Sequence, residues 1–110
     1  MNKRKWEIWM YDFPVKGPHP VVIISHPDRC QKSPLVNVLY CTSQRQSRPI
    51  KATEVMLNGA DGLNWETFVG CDLIYLVESA ALHDKRGRVC RERRLEVWRK
   101  MTAIFSSIDD

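Results

Sequence analysis

The sequence predicts a small β-barrel capped by a C-terminal helix, and three observations carry that expectation. Val21-Val22-Ile23-Ile24 is an uninterrupted β-branched run, which suits a strand buried on both faces. Further short apolar segments, at 35–41, 54–57 and 68–77, are separated by turn-forming or polar stretches. Near Arg91 the apolar period changes from two to about 3.6 residues, the signature of a helix following a run of strands. At 110 residues the chain has the size of one domain spanning 1–110, with a single core.

Trp6 to Phe13 alternates, with Trp6, Ile8 and Met10 on one side and Glu7, Trp9 and Tyr11 on the other. That pattern reads as a strand with aromatic residues on both faces. Pro14 to Pro18 is a loop, and Lys16 within it reads more simply as a solvated charge than as a phosphate contact. Gly17-Pro18-His19-Pro20 leads into the central strand, which should stop at Ser25-His26-Pro27-Asp28. There His26 and Asp28 are expected to be turn residues.

Arg29 to Pro34 reads as a polar loop, and Leu35 to Cys41 as a second buried strand ending in Thr42-Ser43-Gln44. The stretch from Gln44 to Lys51 carries Arg45, Arg48 and Lys51 and is expected to be an exposed basic loop. Glu54 to Leu57 is a short strand, and Asn58-Gly59-Ala60-Asp61-Gly62 is a turn. Leu63 to Thr67 begins a new element. Phe68 to Val77 is a long strand in which Gly70 marks a bulge. His83 to Arg88 reads as a polar loop.

From Arg91 to Ile108 the spacing predicts an amphipathic helix with the stripe Leu95, Trp98, Met101, Thr102, Phe105 and Ile108 on the core. Arg93, Arg94, Arg99 and Lys100 are expected on solvated faces.

The net charge of +4 favours an acidic or polyanionic partner. No apolar run reaches the ~18 residues of a membrane span, and no signal-peptide core follows Met1-Asn2-Lys3-Arg4-Lys5, so a cytoplasmic protein is expected. The four cysteines form no Cys-x-x-Cys pair, and the three histidines are scattered. No metal site, cofactor or disulfide framework is therefore expected, and no Gly-rich phosphate loop is present.

What remains for chemistry is His19 at the mouth of the central strand, Thr42-Ser43 at the end of the next, and the basic side chains near them. Side by side, a histidine can move a ribose hydroxyl proton while a hydroxyl and cations steady a phosphorane. The residues alone support a plainer role better, with His19 a half-buried loop histidine and Thr42 bonding the backbone.

Five segments in order give the chain a resemblance to the MazF/PemK toxins of bacterial toxin-antitoxin systems. They are Trp6-Glu7-Ile8-Trp9 through Phe13, Gly17 to Ser25, Val38 to Gln44, Glu54-Val55-Met56-Leu57, and Asp61-Gly62-Leu63 with Cys71-Asp72. The resemblance implies an SH3-like barrel of the CcdB/MazF type and a homodimer. It also implies a metal-independent endoribonuclease that cuts single-stranded RNA, and a cognate antitoxin with an acidic tail.

The family's catalytic threonine corresponds to Thr42. The position of its catalytic arginine holds His19, and a second arginine of some members is Tyr75 here. Histidine titrates where arginine carries a permanent charge, so the mechanism is not carried over intact. On this reading His19 and Thr42 are catalytic, and Lys16, Ser43, Gln44, Arg45, Arg48 and Tyr75 contact RNA. The products are expected to be 2′,3′-cyclic phosphate and 5′-hydroxyl ends. The alternatives are a catalytically silent module binding RNA or antitoxin, or a CcdB-like poison of a protein target.

Overall fold

A computed structural model of the chain describes residues 3–42 and 48–108. Six strands form one antiparallel sheet: β1 (Glu7–Phe13), β2 (Gly17–Ile23), β3 (Leu35–Cys41), β4 (Glu54–Leu57), β5 (Thr67–Glu78) and β6 (His83–Arg88). Their spatial order is β4-β5-β3-β2-β1-β6. Two helices complete the fold, α1 (Pro27–Lys32) and α2 (Arg91–Phe105).

The sheet is curled into a half-barrel. Gly62, just after the β4 edge, lies against Gly87 in β6 at the opposite edge, and a Cβ on Gly87 would run into the Asp61 carbonyl. Gly62 also has φ +86°, a left-handed conformation that glycine adopts without strain. Asp61 fixes this junction. Its fully buried carboxylate accepts from Asn58 N at 2.9 Å, Cys90 N at 2.8 Å and Arg93 Nη1 at 3.1 Å. It thereby ties the turn after β4 to the first turn of α2.

Val21, Val22 and Ile23 are wholly buried, as the β-branched run predicts, because the sheet has a core on each face. Val22 joins Ile8, Leu39, Leu57 and Val69 beneath α2, whereas Val21 and Ile23 join Phe13, Val36, Val38 and Leu82 on the side of α1. The bulge expected near Gly70 is present. Leu39 pairs with Ile74 but Cys41 with Val69, so β5 loops out between those contacts.

Four expectations are corrected. Residues 83–88 are a strand rather than a loop. An edge strand held by its backbone pairing to β1 and by polar side-chain pairs, Lys85 with Glu7 and His83 with Asp12, needs no apolar alternation, so its polar sequence hid it. Within the expected polar loop at 29–34 lies most of α1, which starts at Pro27, a residue with no N–H to satisfy, and whose Asp28 N donates to the His26 ring. The central strand ends at Ile23, short of Ser25.

The fourth correction concerns α2, which ends at Phe105 and turns Val97, outside the expected stripe, into the core together with Met101, the one residue of that stripe that is buried. Leu95, Trp98 and Phe105 remain about half exposed and Ile108 is 90% exposed. The helix carries two adjacent apolar faces, and periodicity alone does not say which one is buried. Arg93 is also no solvated charge, since it reaches Asp61 and the Met56 carbonyl.

Candidate RNA-facing site

Two missing N–H groups build the site. Ile24 N–H donates to Asn37 O at 3.0 Å, so even-numbered residues of β2 aim their N–H groups at β3. Val21 pairs with Tyr40 and Val22 with Leu39. Continuing this register sets Pro20 opposite Cys41 and His19 opposite Thr42. Pro18 and Pro20 have no N–H to aim, so β2 and β3 part at this end and the Cys41 carbonyl lacks a ladder donor.

His19 supplies the donor, its Nδ1 lying 3.2 Å from Cys41 O. A carbonyl oxygen only accepts, so Nδ1 carries the proton and the neutral ring presents its lone pair at Nε2. That lone pair faces the Tyr40 hydroxyl at 3.3 Å, which donates to it.

The rest of the site is aromatic and cationic. The Tyr40 ring lies 4.8 Å from the His19 ring and 5.2 Å from Phe13, and Phe13 is 5.2 Å from Tyr75. Lys16 Nζ sits 4.3 Å above the Tyr40 ring, a cation–π contact. Burial pushes the Tyr40 phenol above its ordinary value, with the Lys16 charge opposing, so the phenol stays protonated at neutral pH.

Thr42 stands at the edge of this surface. Its hydroxyl accepts from Phe68 N at 3.1 Å and its backbone pairs with Phe68 O and the Thr67 hydroxyl. The hydroxyl proton itself has no acceptor among the described residues, which leaves one donor for an incoming oxygen.

The structure thus gathers His19, Lys16 and Tyr75 around the Tyr40 ring, while Thr42 follows two residues after Tyr40 and bonds Phe68 and Thr67. It puts Arg48 to other use. Both terminal nitrogens of Arg48 bond the Glu54 carboxylate, at 2.9 and 2.7 Å, and its guanidinium lies 5.3 Å from the Phe68 ring. Arg48, foremost, with the Lys51 N–H, holds the Glu54 carboxyl below its ordinary range against the effect of burial. Ser43, Gln44 and Arg45 lie outside the described residues. Tyr40 was missed by sequence reasoning because it sits inside an apolar strand pattern; the clue was its place two residues before Thr42, on the same face.

Cysteine chemistry does not compete. Cys41 is wholly buried with its thiol pushed up by desolvation, and Cys71 is pushed up to about 11 for the same reason. Among the described residues no group of three His, Cys, Asp or Glu side chains is arranged to hold a metal ion, and no helix is long and apolar enough to cross a membrane.

Comparison with known proteins speaks to the family and the fold. The family model for the PemK-like, MazF-like toxin of type II toxin-antitoxin systems matches residues 4–105. No curated protein matches the chain. Among solved structures, an endoribonuclease in complex with its cognate antitoxin from a mycobacterial species is similar at TM-score 0.79 and 19% identity, over 100% of both chains. The Mycobacterium tuberculosis toxin MazF-mt6 has TM-score 0.77 and 20% identity over 93% of this chain and 98% of that one. A MazE-MazF structure from Deinococcus radiodurans has TM-score 0.75 and 15% identity over 96% and 97%. At these identities the structural likeness speaks for the fold.

Proposed function

The chain belongs to the PemK-like, MazF-like toxins of type II toxin-antitoxin systems, and from that premise we propose that it is a metal-independent endoribonuclease that cuts single-stranded RNA, mRNA included. Cutting messages would arrest translation and growth. The observation that carries the reading is the bond of His19 Nδ1 to the Cys41 carbonyl, which fixes the ring's tautomer one residue before Thr42, whose hydroxyl proton has no acceptor among the described residues.

In this reading the ribose 2′-hydroxyl attacks the adjacent phosphorus. His19 serves as the base, and Thr42 donates to a non-bridging oxygen as charge builds on it. Lys16 contributes a positive charge beside the phosphate, and Tyr40 and Tyr75 offer rings on which bases stack. Ser43, Gln44 and Arg45, which follow Thr42 in the sequence, contact the strand on either side of the cut. Arg48 is paired with Glu54 rather than touching RNA. A 2′-hydroxyl nucleophile needs no metal and leaves a 2′,3′-cyclic phosphate and a 5′-hydroxyl.

The same basic and aromatic surface suits the acidic tail of a cognate antitoxin, which would compete with RNA for it. A homodimer follows from a different surface. Beyond its pairing with β4, the β5 edge has no strand partner among the described residues, and beside it Ile74, Trp98, Met101 and Phe105 line an apolar groove of about 370 Å³. Exposed Leu76 adds to this face, which a second copy would cover. Antitoxin and messages would both be met in the cytoplasm.

The test is incubation of purified protein with a broad mixture of RNAs in EDTA, followed by analysis of the ends. Cutting with cyclic phosphate termini is expected. Termini bearing a 3′-hydroxyl, or cutting abolished by EDTA, contradicts the proposal. Binding of RNA without cutting would favour a silent module, a reading that the occupied Nε2 of His19 keeps in view.

A further inference from the structure

Resting on the ribonuclease reading, we propose that Tyr40 is a catalytic residue: its phenol takes the proton of the attacking 2′-hydroxyl while handing its own proton to Nε2 of His19. The chain of bonds is already in place. Pro20 leaves the Cys41 carbonyl without a ladder donor, His19 Nδ1 fills the vacancy, and the lone pair is thereby forced onto Nε2. Nε2 is in turn covered by the Tyr40 hydroxyl. A substrate hydroxyl therefore reaches the histidine lone pair through the phenol.

Displacing the phenol is opposed by its surroundings. The ring is held by the Lys16 ammonium 4.3 Å over it, by Phe13 at its edge and by the tilted His19 ring. Lys16 serves the relay as well, because a cation against the ring steadies the partial negative charge that passes through the phenol oxygen.

The step balances. The bond from the 2′-oxygen to phosphorus forms and the bond from phosphorus to the 5′-oxygen breaks. The 2′-hydroxyl proton moves to the Tyr40 oxygen, the former Tyr40 proton moves to Nε2, and the departing 5′-oxygen takes a proton from water. His19, now an imidazolium, returns its proton to solvent.

Tyr40→Phe tests the relay, because it removes one oxygen and keeps the ring that packs and stacks. We expect single-turnover cutting to fall at least ~100-fold, with binding of an RNA blocked by 2′-deoxy substitution kept within about threefold and melting unchanged. In ¹⁵N spectra of imidazole nitrogens, the His19 Nε2 resonance should move in the variant while Nδ1 stays.

Cutting within about threefold of the parent, beside a dead His19→Ala protein, would overturn the relay and leave the ribonuclease reading standing. Loss of binding in step with cutting would make the Tyr40 hydroxyl an RNA contact and equally overturn it. An unmoved Nε2 resonance would remove the bond on which the relay rests, whether or not RNA is cut. A parent protein that cuts no RNA would sink the ribonuclease reading and the relay together.

Discussion

Around Asp61 the carboxylate is fully engaged: both oxygens accept bonds, from the Asn58 and Cys90 N–H groups and from Arg93, with no exposure to water. Around His19 the polar groups are positioned but not exhausted. Thr42 keeps a donor, and Lys16 makes no ion pair among the described residues. Both clusters lie where strands end and the chain turns. The saturated one closes the half-barrel, while the open one has capacity for a ligand. Burial and ionic character mark structure here, and unfilled hydrogen-bond valence marks the site.

The sharpest way to break this comparison is Asp61→Ala. It strands the Arg93 charge and two backbone N–H groups, so a loss of roughly 3–5 kcal/mol in stability is expected by chemical denaturation. Cutting per folded molecule should stay at the parent level. A variant equally stable, or one folded yet inactive, would put Asp61 on the functional side.

Gly87→Ala should follow at about 1–3 kcal/mol, since the added Cβ meets the Asp61 carbonyl and the half-barrel edges must separate. Melting curves would register it, and an unchanged curve would argue that the two edges do not touch.

Acid provides a gentler probe of the buried carboxylates. Arg48 holds the Glu54 carboxyl below its ordinary value. At Glu7, burial acts upward but is outweighed by bonds from Lys85, Arg4 N and Trp9. Folded values below unfolded ones give stability that is present above the ordinary carboxylate range and lost as pH falls through the folded values. Stability should therefore drop on acidification below about pH 4.5, less steeply in Glu54→Gln, whereas parallel pH curves would deny that Glu54 is linked to folding.

The smallest effect is expected at His83, whose pKa is raised by Asp84 and then Asp12. That contribution is complete below the ordinary histidine value and fades as pH rises through the raised one. The group is exposed, so His83→Asn should change melting only slightly, and mainly on the acid side of neutrality.

Much of this arrangement could be read in the sequence where side-chain chemistry and backbone need agree. The run Val21 to Ile23 specifies a strand buried twice, and Leu35 to Cys41 and Glu54 to Leu57 are found where the apolar pattern puts them. The polar strand at 83–88 was invisible because its partner supplies backbone bonds rather than a core. On α2 two apolar faces compete, and only the curvature of the sheet selects Val97 and Met101. His19 and Thr42 were singled out by their places at strand ends and by motif, and the structure adds the bond of His19 to the Cys41 carbonyl. Tyr40 was not, because its role depends on a bond that Pro20 fails to make.

The most direct measurement is paired: the cutting rate and the melting temperature of His19→Ala, taken on the same preparation. The account predicts a rate at least ~100-fold below the parent with a melting temperature lowered by no more than the loss of one hydrogen bond explains, about 0.5–1.5 kcal/mol. A parent-like rate, or a loss of rate that follows a loss of fold, would contradict it and return His19 to the structural side of the comparison.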